Sequence, residues 1–266
     1  MLKSDHIQTP SSAGEQWERE VSLLCLAARL ILENGGETYR VEETVMRMAS
    51  GLGLPNVNVA AFTTSIFVEV DGRMRICRIN RRGTNLTRIE RTNNVSRRVA
   101  SGNLSLDEAE RELQAVARYS GTPQRYLIPA SGLAAGSFAL LFGGQMQDFA
   151  VAFFIGICVQ CIQPLFARME MGTLFFNFFG GLLSSVGAVV LSSFMPVTCD
   201  VNSIIVGGIM PLLTGLLMTT AMRDTMYGDL ISGIARALEA LLLAVAAALG
   251  VYVGLTIVVM MGGTMP

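Results

Sequence analysis

The apolar positions of this chain follow two different rules. Over residues 13–34 they recur at Val21, Leu24, Cys25, Ala28 and Ile31 and then meet Gly35-Gly36, a spacing that predicts an amphipathic helix closed by glycine. A second helix is predicted from Glu37 to about Leu52, bounded by Gly51 and Gly53. VNVAAFTTSIFVEV, then Asp71-Gly72, then RMRICRI reads as two strand-like runs about a two-residue turn, a hairpin signal. Two further helices are predicted at about 89–101 and 106–119, the second opened by Ser105 with Glu108 three residues on, which is a capping box.

Past residue 125 the pattern loses its polar face. Apolar runs at about 126–144, 149–167, 174–194, 203–222 and 230–262 each supply the ~20 residues needed to cross a hydrocarbon core of ~30 Å. The expected fold is therefore a polytopic α-helical membrane protein of about five transmembrane helices behind a small α+β domain. We place the boundary between residues 1–122 and 123–266.

Charge sharpens this division. Residues 1–125 hold 17 of the 20 Lys and Arg and 15 of the 21 Asp and Glu. The loops QMQD and MPVTCDVN and the GGTMP end carry no basic residue, whereas Arg168, Arg223 and Arg236 all fall on the side shared with the amino-terminal half. Basic residues favour the cytoplasmic side, so the expected topology is N-in/C-out, with a cytosolic amino-terminal domain and a multi-pass protein of the inner (plasma) membrane. The first residues, MLKSDHIQTPSSAGEQWERE, lack the apolar run of a secretory signal peptide.

Several chemistries are excluded or weakened. The single histidine, His6, sits far from every other candidate, which removes histidine-based triads and imidazole proton shuttles. We expect no cofactor, no metal site and no catalytic centre. The five cysteines are scattered and show no disulfide framework. CVQC at 158–161 has redox spacing, but inside an apolar run it reads as small packing residues. The basic run RMRICRINRRG could meet nucleic acid or membrane lipid. With 17 basic against 15 acidic residues in that half and no recognition motif, a lipid-facing surface is the better reading and nucleic acid is not expected.

The polar residues of the apolar half are few. Small residues such as Gly132, Gly136, Gly180, Gly181, Ser184 and Ser185 suit close helix packing, and Asn177 either lines a cavity or joins helices. The stretch TTAMRDTMYGDLISGIARALEA, 219–240, places Arg223, Asp224, Asp229, Arg236 and Glu239 between two apolar runs. Asp229 follows Gly228 and suits the N-cap of the last helix. That run of 33 residues, ~50 Å as helix, is longer than the membrane core, so Arg236 and Glu239 fall near its inner edge. Two readings stay open: a capped helix end with salt bridges, or a solute site. In the second, Arg223 or Arg236 attracts a carboxylate, Asp224 or Glu239 pairs or exchanges a proton, and Thr219 adds a hydroxyl. ENGGETYRVEET, 33–44, is similarly dense, with Glu37, Tyr39, Arg40 and Glu42; an ion-pair ladder along a helix is the simplest account.

GGETYRVEET, FTTSIFVEV, RRGTNLTRIERTNNVSRRVASGNLSLDEA and LLTGLLMTTAMRDTMYGDLISGIARALEALLLA together resemble the amino-terminal half of the threonine/serine exporter (ThrE) family, in its short split-gene, YjjP-like form. The resemblance covers about residues 20–260. It implies export of small polar carboxylates, threonine and serine in fused members and succinate in one split system. It also implies a second small membrane subunit supplying the other transporter half, and an oligomeric assembly. The chain departs from the family at Thr214-Gly215, where Pro-Gly is typical, and at Thr220, where Asn is typical. Competing classes are a membrane-anchored cytosolic enzyme or sensor and a non-transporting scaffold subunit.

Overall fold

A computed structural model describes residues 12–79, 83–169 and 172–262. His6, the end of the basic run at 80–82, Glu170 and the last four residues lie outside the described residues. Chain contacts divide the protein into two units: residues up to Gly121 together with Thr219–Arg236, and Thr122–Met218 together with Ala237 onward.

The first unit opens with α1 (Ser12–Leu32) and α2 (Thr38–Gly51), followed by β1 (Val57–Ala61), β2 (Ser65–Val70) and β3 (Arg73–Arg78), then α3 (Leu86–Ala100) and α4 (Leu106–Arg118). The stretch 57–70, expected as one strand, is two. The chain turns at Phe62-Thr63-Thr64, where the Phe62 N–H bonds back to the Ser65 carbonyl, and the sheet is a three-stranded antiparallel meander β1-β2-β3. The Asp71-Gly72 turn is where the sequence puts it, with both residues at positive φ. Ser105 and Glu108 form the expected capping box.

One face of the sheet packs on the apolar stripe of α1. Val21, Leu24, Ala28 and Ile31 are fully buried with Val41, Val45 and Met48 of α2, Ile66 and Val68 of β2 and Leu113 of α4. Fully burying a residue of this kind is worth about 1.5–3 kcal/mol, so this cluster dominates the unit's stability. Cys25 on α1 and Cys77 on β3 are joined as a disulfide with Cα atoms 6.2 Å apart. The expectation of scattered cysteines fails here because partners 52 residues apart on different elements leave no spacing signature.

The second unit contains α5 (Gln124–Leu141), α6 (Met146–Arg168), α7 (Thr173–Ser193), α8 (Val201–Ile209), the start of α9 (Gly215–Met226) and most of α10 (Leu230–Met260). By length and composition three described helices can cross a membrane: Met146–Ala167, Thr173–Ser193 and Leu230–Met260. Only 28%, 33% and 22% of their apolar windows is buried inside the protein, so most of that surface needs lipid or another chain. The run expected as a fourth span is broken. α8 ends in a 3₁₀ turn at Met210–Leu212 containing Pro211, and α9 restarts at Gly215 bent by 54°; proline lacks the N–H and the room to continue an α-helix. α5, at 18 residues with Pro129 inside it, is not among the three.

Glycines set the helix packing of this unit. A Cβ on Gly181 would stand 2.2 Å from the Ala247 carbonyl oxygen, and one on Gly250 1.9 Å from that of Phe178, so α7 and α10 meet backbone to backbone as small residues permit. Asn177 sits in the same seam, donating to the carbonyls of Leu212 and Leu243 at 3.2 Å each.

Candidate functional site

The charged stretch and the ENGGETYRVEET motif come together in the first unit. Two glycine-closed helix ends make this possible. After α1, Gly35 takes φ 93°, and the Gly36 N–H reaches back to the Ile31 carbonyl at 2.9 Å. After α9, Gly228 takes φ 94°, and the Asp229 N–H reaches the Asp224 carbonyl at 2.9 Å. Both are left-handed caps that satisfy the last carbonyls of a helix and reverse the chain sharply. Gly36 also has no room for a side chain, since a Cβ would lie 2.4 Å from Ile31 Cγ2.

Asp224 joins the two turns. Its Oδ1 accepts from the Thr38 backbone N–H at 3.1 Å and from the Thr38 hydroxyl at 3.0 Å. Thr38 is the first residue of α2, whose N-cap, Glu37, makes no capping bond of its own; Asp224 satisfies one of the free N–H groups at this helix start. Arg236 completes the connection. It donates to the Gly36 carbonyl at 2.8 Å and to the Thr220 hydroxyl at 3.3 Å, and its Nε lies 2.9 Å from Asp224 Oδ2. That last contact is an ion pair by distance with an angle outside hydrogen-bond geometry. Asp224 and Arg236 are both buried, and a buried pair depends on further hydrogen bonds; the groups of Thr38, the Gly36 carbonyl and the Thr220 hydroxyl supply such bonds, while Asp224 Oδ2 and Arg236 Nε face each other outside hydrogen-bond geometry.

A second, open group lies beside this closed one in the chain. Glu37, nearly buried, has Oε1 at 2.8 Å from Arg223 NH1 and Oε2 at 3.2 Å from Arg40 Nε. Arg223 and Arg40 are 55% and 40% exposed. The Tyr39 and Tyr227 rings stack with centroids 4.0 Å apart. Glu42, by contrast, accepts from the Ala61 N–H at 2.9 Å and so fastens the end of β1.

The residues singled out from the sequence thus separate by role. Arg223, Asp224, Arg236, Glu37, Tyr39 and Arg40 meet in the first unit. Asp229 caps α10 through the Ser232 N–H at 3.1 Å. Thr219 is exposed near the end of the bent segment. Asn177 and Glu239 belong to the second unit. Sequence reasoning passed over Thr38 and Tyr227 and took Gly36 only as a helix end and Thr220 only as a departure from the family pattern, since their parts depend on partners distant in the chain. It also passed over Ser232, whose buried hydroxyl has no protein partner. Among the described residues no three His, Cys, Asp or Glu side chains group as a metal site.

Apolar helices that bury a third or less of their surface and a helical unit packed through its glycines mark a polytopic membrane protein. The family model described as "Putative threonine/serine exporter" matches residues 22–258, and the chain belongs to that family. A "Probable threonine/serine exporter" of Mycobacterium tuberculosis is 24% identical over 236 residues, covering 86% of this chain and 44% of that protein. A "Probable succinate transporter subunit YjjP" of Klebsiella aerogenes is 25% identical over 255 residues, covering 92% and 96%. "Pheromone-regulated membrane protein 10" of Pichia sorbitophila is 23% identical over 258 residues, covering 90% and 24%. The chain thus spans less than half of the mycobacterial and yeast relatives and nearly all of the Klebsiella one. No solved structure matches.

Proposed function

We propose that this chain is one subunit of an exporter of small polar carboxylates, either threonine and serine or a dicarboxylate such as succinate. It acts with a second small membrane subunit that supplies the other half of the transporter, in an oligomer in the inner (plasma) membrane. The length relation supports this: the Klebsiella relative named as a subunit is matched over 96% of its length and the mycobacterial exporter over 44%. In this reading α5, α6, α7, the bent α8–α9 pair and α10 give five crossings, N-in/C-out, with the first unit in the cytosol. A bent helix with an unwound centre is a device transporters use at the solute path, and Thr214 lies in the break.

The observation that carries the solute reading is the exposure of Arg223 and Arg40 in a charged cluster that also holds the buried Asp224–Arg236 pair. Asp224 and Arg236 pair by charge and bond the Thr38 groups and the Gly36 carbonyl, so they hold the site; Arg223 and Arg40 are the cations that a dissolved carboxylate can reach. Efflux of threonine, serine and succinate from loaded cells, with and without the co-expressed second subunit, tests the proposal. Export is expected only with both subunits, and efflux of all three solutes at background with both present would end it.

A further inference from the structure

The pairing of Glu37 carries the carboxylate reading further and rests on it. Each oxygen of this carboxylate has its own arginine, Arg223 at 2.8 Å and Arg40 at 3.2 Å. Glu37 occupies the N-cap of α2 yet its side chain makes no capping bond, and the first free N–H of the helix, that of Thr38, is met by Asp224 instead. An acidic residue at a helix start normally acts on the free N–H groups there; this one is committed to two side chains instead. The carboxylate is 9% exposed, while both guanidinium groups holding it reach solvent.

We propose that Arg40 and Arg223 form the carboxylate clamp of the export site and that Glu37 is its resting occupant, displaced by the carboxylate of an incoming amino acid or dicarboxylate. A guanidinium keeps its charge throughout the physiological range and offers five donors in a planar fork, more than Glu37 takes up. A solute can therefore engage each arginine before Glu37 leaves. The incoming carboxylate takes over the contacts that Glu37 gives up, so neither arginine passes through an unpaired state, and the freed Glu37 carboxylate turns to solvent. Glu37 is tethered, with an effective concentration on the order of millimolar or above. It therefore sets a threshold, and only solute that has accumulated inside the cell competes with it.

The test is equilibrium binding of radiolabelled succinate and threonine to the purified full-length chain, with thermal unfolding measured in parallel. Glu37→Gln keeps the side-chain shape and removes the competing charge. It should bind at least one of the two solutes about tenfold tighter, the scale of one charge-assisted hydrogen bond. Adding Arg223→Gln to that variant should cancel the gain, and Arg223→Gln alone should bind more weakly than the wild type. Unchanged or weaker binding in Glu37→Gln, with or without a fall in unfolding temperature, overturns the clamp. Export by the wild-type pair with unaltered binding in Glu37→Gln removes the clamp alone. Tighter binding by a chain that exports neither solute keeps the clamp and removes the export reading.

Discussion

Asp224 and Thr38 lie 186 residues apart and share one carboxylate oxygen through two hydrogen bonds, at 3.1 and 3.0 Å. The start of α2 is thus capped from α9, and the charge on the cap is balanced by Arg236, which reaches across to the Gly36 carbonyl.

Removing half of such a pair is costly. Asp224→Ala leaves Arg236 buried beside no carboxylate and the Thr38 N–H without its acceptor, and should destabilise the protein by about 3–5 kcal/mol. Replacing both charges, Asp224→Leu with Arg236→Met, should recover the part of that loss due to the unpaired charge, while the Thr38 N–H and the Gly36 carbonyl stay without these partners. Denaturant unfolding in micelles, followed by near-UV signal, measures both. A single variant costing under about 1 kcal/mol would show that the pair is solvated rather than buried.

The two arginines of α9 and α10 should part company on substitution. Arg236→Gln should lower membrane abundance and export together, because its donors hold Gly36 and Thr220 in place. Arg223→Gln should leave abundance near the wild-type level, because Arg223 itself is half exposed and the buried Glu37 carboxylate keeps Arg40 as its partner, while export falls at least about tenfold, the loss of one charge-assisted contact. Arg223→Lys should restore little of it, for the ammonium lacks the planar fork. Immunoblots of the membrane fraction beside efflux rates decide the matter; equal losses of abundance in both variants would make Arg223 structural.

Close approach of α7 and α10 gives a third expectation. Gly181→Ala and Gly250→Ala place a methyl group against backbone carbonyls of the facing helix, and backbone cannot swing aside as a side-chain tip can. Each should destabilise by about 1–3 kcal/mol or more. Gly215→Ala, where a Cβ meets nothing within 4 Å, should stay within about 0.5 kcal/mol of the wild type.

Local features were legible in the sequence where their causes are local. The capping box at Ser105 and Glu108 and the N-cap at Asp229 each involve residues three apart in the chain, and the structure has both. The turn at Phe62-Thr63-Thr64 was hidden because it holds no glycine or proline, and threonine favours strands. The apolar run at 203–222 read as one helix, since hydropathy counts side chains and does not register that Pro211 interrupts the backbone ladder. Both charged motifs stood out by their density, but their meeting did not. The contacts of Asp224 with Thr38 and of Arg223 with Glu37 each span 186 residues, and a contact at that distance leaves no periodicity to read.

Topology can be read from thiols, with one restriction. Cys77 is buried and bonded to Cys25 in this structure, which makes it a poor reporter in either redox state, so an exposed loop position such as Asn103→Cys takes its place. In intact cells an impermeant maleimide should label Cys199, in the connection between α7 and α8, and should reach Asn103→Cys only after permeabilisation. Burial, with the Asp148 carboxylate adding to it, pushes the Cys199 thiol above its ordinary value. The thiolate is the reactive form, so less of it exists at neutral pH, and Cys199 should label more slowly than an unperturbed cysteine and keep accelerating above pH 9. The Cys25–Cys77 pair adds a second readout. Disulfides persist in oxidising compartments and are rare in the cytosol, so if the first unit lies inside, acid-quenched cells should yield this pair as two alkylatable thiols. Labelling of Asn103→Cys in intact cells, together with a pair that resists alkylation, would place the first unit outside and reverse the proposed direction of the whole chain.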